Sequence, residues 1–375
     1  MLKYPSPERA ISLVHVITAF TCCWPLPSTA TKSLVLQFKI LRSFLLLNAL
    51  VLFLPLLYAL HVHRNDAENV AKAACLTLAL VQIFFQTFVC IGQYDHFQKL
   101  IEEMKICCET AKPYERDVFQ RYVNKHSLFY ITCSSWFYLT AIIMVLGSLL
   151  ISDPFPTNAV YPFPVNFEPL RSIIFMHQSF VGIQCAAHAS MNVLSALLLL
   201  FTTARFEILM TELRNVNDIE TLIKSMKKYS TVRSDREVAE EVGAVRRGNR
   251  FKRVLRTRTN LLIRLPKQPF AVKAQFLTVS GTALLEVLMC SLPADHLIDM
   301  SENIMQGIYE SKWYERSLKI QKSTVLMLTP QSPVTVKIKC LIPVLSLNFY
   351  CSYVSNVFSL FTALRIAMIN DETEN

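Results

Sequence analysis

The side chains able to do chemistry in this sequence lie inside long apolar runs. His177, Gln184, His188 and Ser195 recur at i, i+7, i+11 and i+18 within 173–201. Asn348, Ser352, Ser355, Ser359 and Thr362 recur at i, i+4, i+7, i+11 and i+14 within 340–368. At 100° per residue each set falls within roughly 40° either side of one helical face. In apolar surroundings such stripes either hydrogen-bond neighbouring helices or line a cavity for water, ions or a ligand. For the first stripe both readings stay open. The second would be useless facing lipid, so it requires packed partners or a water-filled pore. Glu286 stands alone inside a third apolar run, 271–292, where charge is expensive. A protonated or interface-facing carboxyl near the cytosolic end is the favoured reading, ahead of a gating role.

Other combinations point away from catalysis and metals. His61, His63 and Asp66 could bind a metal but read better as a solvated linker. The eleven cysteines form no CxxC and no zinc-spaced Cys/His cluster. Most read as small buried hydrophobes, and acylation of Cys107 or Cys108 at a membrane face is the weaker reading. There is no HExxH, GxSxG or phosphate-cradling glycine loop, so neither an enzyme nor a cofactor is expected.

The elements that must position these residues are membrane helices. The chain is 52% hydrophobic and only 18% charged, where a soluble domain has about a quarter of its residues charged. The expectation is an all-α polytopic membrane protein forming one domain over 1–369. Its spans are expected near 40–60, 70–91, 128–151, 173–201, 271–292 and 340–368. Ile11–Cys23 reads as a helix in the cytosolic interface rather than a signal peptide. The proline-rich loop from Asp153 to Pro169 cannot stay helical. Residues 293–339 are expected to be cytosolic, with an amphipathic helix pair near 295–328, and 370–375 to be a polar tail. Residues 222–270 form an atypical basic segment containing Arg246, Arg247, Arg250, Lys252 and Arg253, with no apolar run long enough to span.

Basic residues orient the chain. The N-terminal segment, 92–127 and 202–270 are all basic, whereas the loops 61–69 and 152–172 carry one basic residue each, Arg64 and Arg171. That alternation puts the N-terminus in the cytosol. The 293–339 segment is basic too, and two cytosolic segments must be joined by an even number of crossings. Only 271–292 is visible between them, so a further span is expected between about 222 and 270. The net charge of +10 is then a sign of topology rather than of nucleic-acid binding.

Several motifs resemble the insect odorant receptor family. They are Pro293-Ala294-Asp295-His296-Leu297 with Ser301-Glu302, then Gly307-Ile308-Tyr309-Glu310-Ser311, Trp313-Tyr314 and Ser352-Tyr353. Trp24-Pro25, Phe97-Gln98-Lys99-Leu100-Ile101 and Arg205-Phe206-Glu207-Ile208-Leu209 are similar as well. The last span lacks the Gln-Phe of the related gustatory receptors. The basic segment departs from the family, whose fifth span lies there, as a mis-spliced or mis-predicted exon would.

The resemblance implies a seven-helix bundle acting as an odorant-gated channel subunit. It would bind a small volatile ligand and assemble with a shared co-receptor into a heterotetramer. That non-selective cation channel would sit in the lipid bilayer of the plasma membrane, on an olfactory neuron dendrite. The ligand pocket is expected in the outer half of the bundle, at Tyr138, Met144, His177, Phe180 and Gln184. Pore-lining residues would be Ser352, Ser355, Asn356 and Ser359, with Val354 and Val357 as the apolar constriction. Tyr309 and Trp313 would anchor neighbouring subunits. A gustatory or G-protein-coupled chemosensory receptor is the rival reading. The latter would reverse the orientation, and the chain has neither an acidic-Arg-Tyr triplet after span three nor Asn-Pro in the last span.

Overall fold

A computed structural model describes residues 5–64, 67–151, 155–165, 167–214, 270–315, 317–327, 334–336, 344–356 and 358–359. The segment 222–269, Val357 and Thr362 lie outside the described residues. So does the question of a fifth crossing. Every regular element that is described is helical, and the all-α reading holds.

The first helix, α1 (Pro7–Thr18), begins with Ser6 as N-cap, whose hydroxyl accepts from the Arg9 N–H at 3.4 Å. Pro7 opens the first turn, where its missing N–H costs nothing. Its inward face is Ala10, Ile11, Val14 and Thr18, the i, i+4 spacing of an amphipathic helix. A 3-10 turn (Ala19–Thr21) ends at Cys22, which adopts φ 50° and reverses the chain. The following loop is tied down from α4 (Tyr94–Thr110). Tyr94 Oη accepts the Leu26 N–H at 3.0 Å, Gln98 Nε2 donates to the Leu26 carbonyl at 2.8 Å, and Glu102 accepts the Ser28 N–H at 2.7 Å. The Trp24-Pro25 and Phe97–Ile101 motifs therefore meet in space.

The long helices are α2 (Lys32–Val62), α3 (Ala67–Gly92), α5 (Pro113–Ile151), α6 (Leu170–Arg214) and α7 (Phe270–Tyr309). Among the described residues five segments are long and apolar enough to cross a membrane; four lie within α2, α3, α5 and α6, and the fifth, Gly281–Glu315, starts in α7 and runs past its end. At 1.5 Å per residue the 45 residues of α6 and the 40 of α7 run to about 60–70 Å, twice the roughly 30 Å hydrocarbon core. Both must project beyond it.

Between Ala186 and Ala204, α6 is buried round nearly its whole circumference, the signature of a central helix. Small residues on it (Ala187, Ala189, Ser190, Ala196) let neighbours approach closely. Its hydroxyls are satisfied within the helix, as Ser190 donates to the Ala186 carbonyl at 3.0 Å and Thr203 to that of Leu199 at 2.8 Å.

Against α6 lies α7, one continuous helix where the sequence suggests a span ending at 292 and a separate helix beginning near 295. Pro293 falls inside it and removes the N–H that would reach the Met289 carbonyl. That carbonyl instead accepts the Tyr130 hydroxyl of α5 at 3.2 Å. A buried donor from a neighbouring helix thus replaces the lost bond, and the helix continues through its proline. Beyond the apolar run the pair stays sealed by Phe206, Leu209 and Leu213 of α6 against Leu297, Ile304 and Ile308 of α7. After Tyr309 come a 3-10 turn (Trp313–Glu315) and α8 (Leu318–Met327), and residues 347–356 are helical.

Candidate functional site

Two polar regions emerge, one within the bundle and one on its last helix. Within the bundle, Gln184 is 2% exposed and joins α6 to α2: its Nε2 donates to the Leu45 carbonyl at 3.0 Å and its Oε1 accepts from Asn48 at 3.3 Å. His177, two turns earlier, meets the Asn48 carbonyl through Nε2 at 3.1 Å. His188 lies next to Thr87 of α3, Nε2 to hydroxyl 3.4 Å, while its Nδ1 bonds the Gln184 carbonyl at 2.9 Å. Three of the four residues of the first stripe are therefore occupied in hydrogen bonds, most of them between helices. The apolar wall beside them is Ala49, Leu52, Leu56, Leu80, Ile83 and Val181.

The proline-rich loop closes one end of this wall. Gln178, 1% exposed, accepts the Thr157 N–H at 3.1 Å and donates to the Tyr161 hydroxyl at 3.1 Å. The Val160 N–H reaches the Pro55 carbonyl at 3.4 Å. Phe155, Tyr161 and Phe163 form a chain of tilted rings, 6.1 and 5.5 Å between centroids. Gln178, a residue that the stripe omits, is the hinge between the loop and the bundle. Its periodicity gave no sign, because it pairs with a loop and not with a helix.

The five expected ligand residues do not form one cluster. His177 and Gln184 meet through Asn48 and Leu45, and Phe180 lies between them in sequence but is 37% exposed. Met144 is half-buried on α5. Tyr138, also on α5, donates to the Ile17 carbonyl of α1 at 2.7 Å. Glu286 of α7 accepts from Gln82 of α3 at 3.4 Å, so its carboxyl joins two helices.

On the last helix, Ser352, Ser355, Asn356 and Ser359 are exposed, as is Asn348. Tyr353 is buried and Val354 half-buried. Val354 lies about 200° round the helix from Ser352, away from the serine face. Asp295 Oδ1 accepts the Leu347 N–H at 3.1 Å and so caps this helix. Ser301 Oγ accepts the Val334 N–H at 2.9 Å, holding the irregular segment 334–336 that precedes this helix. Two residues of the C-terminal motif thus hold the approach to the serine face. Glu310 pairs with Arg214 at 2.7 Å. Gly307 lies where a Cβ would come within 2.5 Å of Met210 Cγ, letting α6 and α7 touch. Tyr309 is 68% exposed, whereas Trp313 is half-buried, with its indole Nε1 lacking a hydrogen-bond partner.

Outside the spans, burial raises the thiol pKa of Cys108 to about 12, with Glu8 and Cys107 adding to the effect. Burial likewise holds Cys22 near 11. Such thiols are poor nucleophiles, which weakens the acylation reading at Cys108. No group of His, Cys, Asp or Glu able to hold a metal occurs among the described residues.

Residues 273–358 match the family model described as 7tm Odorant receptor. The fold is similar to that of the insect olfactory receptor OR5 from Machilis hrabei, with TM-score 0.80, 14% identity and coverage of 95% of this chain and 97% of that one. The structure of the same receptor in complex with eugenol matches with TM-score 0.77 and 13% identity over the same shares. No curated protein sequence matches significantly. Residues 273–358 thus carry the sequence signature of the odorant receptor family, and nearly the whole chain has the fold of an insect olfactory receptor.

Proposed function

We propose that the chain is an odorant-binding receptor subunit that gates a non-selective cation channel together with a co-receptor. The observation that carries the reading is a fold shared over 95% of the chain with a receptor whose structure was also solved with eugenol. The volatile ligand would lie against the apolar wall of α2, α3 and α6, with His177, Phe180 and Gln184 as contacts from α6 and Tyr138 and Met144 as contacts from α5. An apolar wall suits such molecules because burial is worth roughly 25 cal/mol per Å² and needs few polar partners. The serine face of the last helix, exposed in the single chain, would line the pore, Val357 supplying the constriction with Val354 behind it. Tyr309 and Trp313 would pack against neighbouring subunits. The spans would place the N-terminus in the cytosol of a dendritic plasma membrane.

The test is co-expression with an odorant receptor co-receptor and recording of current across a panel of volatile phenols, esters and alcohols. The expected outcome is a ligand-evoked cation current that needs both chains. A current or second-messenger response from this chain alone, or an N-terminal tag reachable from outside intact cells, would support the G-protein-coupled rival instead.

A further inference from the structure

Two adjacent cysteines follow the 3-10 turn after α1, and the second of them meets two further reactive groups at a buried point. Thr21 Oγ1 lies 3.4 Å from Met191 Sδ, which sets this turn against α6. His188, one turn before Met191 on the same face, lies 3.4 Å from the Thr87 hydroxyl of α3. Cys90 follows Thr87 by one turn of α3, again on the same face. Cys23, Cys90 and His188 thus converge from three segments of the chain. Cys23 and Cys90 belong to one buried cluster, and neither is in a disulfide. The Cys23 thiol is hydrogen-bonded to both Cys90 and His188, and it lies 3.4 Å from the Thr21 carbonyl.

The imidazole is oriented to take a proton. Its Nδ1 faces the Gln184 carbonyl at 2.9 Å, an acceptor that holds the ring proton on that side. The Thr87 hydroxyl gives its own hydrogen to the Ile83 carbonyl at 2.9 Å. Nε2 is therefore the nitrogen that can accept the Cys23 proton. A thiol, a base and a group that orients the base make up the arrangement that activates a nucleophile. The acidity of the thiol agrees with it. Hydrogen bonding from Cys90 lowers the Cys23 pKa well below the usual thiol range; burial opposes this, and His188 and Thr21 add to the lowering. Cys22 beside it is raised to about 11, so the two adjacent thiols differ in reactivity.

We infer that Cys23 and Cys90 form a reversible oxidation site, which hydrogen peroxide closes into a disulfide with His188 as the base. In the first step the Cys23 sulfur attacks one peroxide oxygen while its proton passes to His188 Nε2. The O–O bond breaks, and the leaving hydroxide takes that proton to become water, so Cys23 becomes a sulfenic acid. In the second step the Cys90 sulfur attacks the Cys23 sulfur and the S–O bond breaks. The departing hydroxide leaves as water with the Cys90 proton. Two thiols are thereby oxidised and one peroxide is reduced to two waters. An oxidant scarcely larger than water suits thiols this deeply buried. Cys23 lies outside any helix, so its loop can make the short movement that a bond of about 2.05 Å requires. The disulfide would fasten the end of α1 to α3. With the N-terminus in the cytosol it would form where such bonds are transient and act as sensors.

The test uses the reduced full chain in lipid nanodiscs, exposed to hydrogen peroxide and then blocked with N-ethylmaleimide. Peptides are mapped by mass spectrometry without reduction. The expected result is a Cys23–Cys90 link that appears before any other among the eleven cysteines and is lost on adding dithiothreitol. Cys22→Ser should leave the link intact. In Cys90→Ser, which stops the second step, dimedone should trap the sulfenic acid on Cys23. His188→Gln should slow formation of the link roughly tenfold or more, because an amide cannot take the proton. Since the first link formed is read on the unaltered chain, misfolding of a variant leaves the test intact. The proposal is overturned if no Cys23–Cys90 link forms, if another pair closes as fast, if dimedone marks other cysteines and not Cys23, or if His188→Gln leaves the rate unchanged. Channel activity enters none of these readouts, so the outcome is separable from the receptor reading.

Discussion

Tyr130 shows how one side chain can decide the course of a helix. Its hydroxyl satisfies the carbonyl that Pro293 leaves open, at a site where Met289 is fully buried. Tyr130→Phe keeps the ring and removes the donor, and should cost about 1–3 kcal/mol, the usual penalty for an unpaired buried group. The expected readout is a lowered thermal unfolding midpoint in detergent. Pro293→Ala restores the backbone N–H, so in that background the same substitution should cost much less. Equal losses in the two backgrounds would sever the proposed link. Gly307 poses a similar question of contact. Gly307→Ala must displace Met210 Cγ, and overpacking of about 1–3 kcal/mol outweighs the roughly 1 kcal/mol of helix propensity regained. A net drop in the midpoint is expected, relieved by Met210→Ala.

At the scale of the element, α1 is held by groups that titrate. Burial, and then the charge of Lys105, lowers the pKa of His15, whose ring packs 4.9 Å from Trp24. A histidine lowered in this way favours the folded state above its ordinary pKa of about 6.5, and that contribution is lost as pH falls below it. Glu8 is lowered chiefly by a backbone hydrogen bond and by Ser6, with Arg116 also contributing at 2.8 Å. Its contribution is present above about 4.5 and is lost as pH falls further. Undocking of α1 should therefore begin below pH 6.5 and deepen below 4.5. Trp24 fluorescence, in a background with Trp136 and Trp313 replaced by Phe, should report it, and His15→Gln should remove the first phase only. A single phase near 4.5 in the unaltered chain would assign no role to His15.

For the whole molecule, α6 and α7 form a shaft that reaches past the bilayer; Asp295 attaches the last helix to it at Leu347, and Ser301 holds the preceding segment at Val334. A face of serines without partners in one subunit is expected to meet water only in an assembled pore. Ser355→Cys, recorded with the co-receptor present, should be modified by a water-soluble thiol reagent faster when ligand is applied, with loss of current. A matched rate with and without ligand would argue against a gated, water-lined face. Asp295→Ala, by removing the cap, should weaken surface expression or current, because the loss of an N-cap costs about 1 kcal/mol.

The all-helical class and the apolar runs were legible because hydropathy and a 3.6-residue period are local properties of the chain. The C-terminal motif was legible too, as residue types at fixed spacing. What those residues do was not. The partners of His177, Gln184 and His188 are Asn48, Leu45 and Thr87, more than ninety residues away in sequence, and only packing brings them together. The course of the chain through Pro293 depended on a donor from α5. The pairing of Gln98 with Leu26, next to Trp24-Pro25, depended on a loop whose own sequence carries no period. A hydrogen bond needs two partners at about 3 Å, and a sequence read along one segment supplies only one of them. The tertiary structure supplied the other.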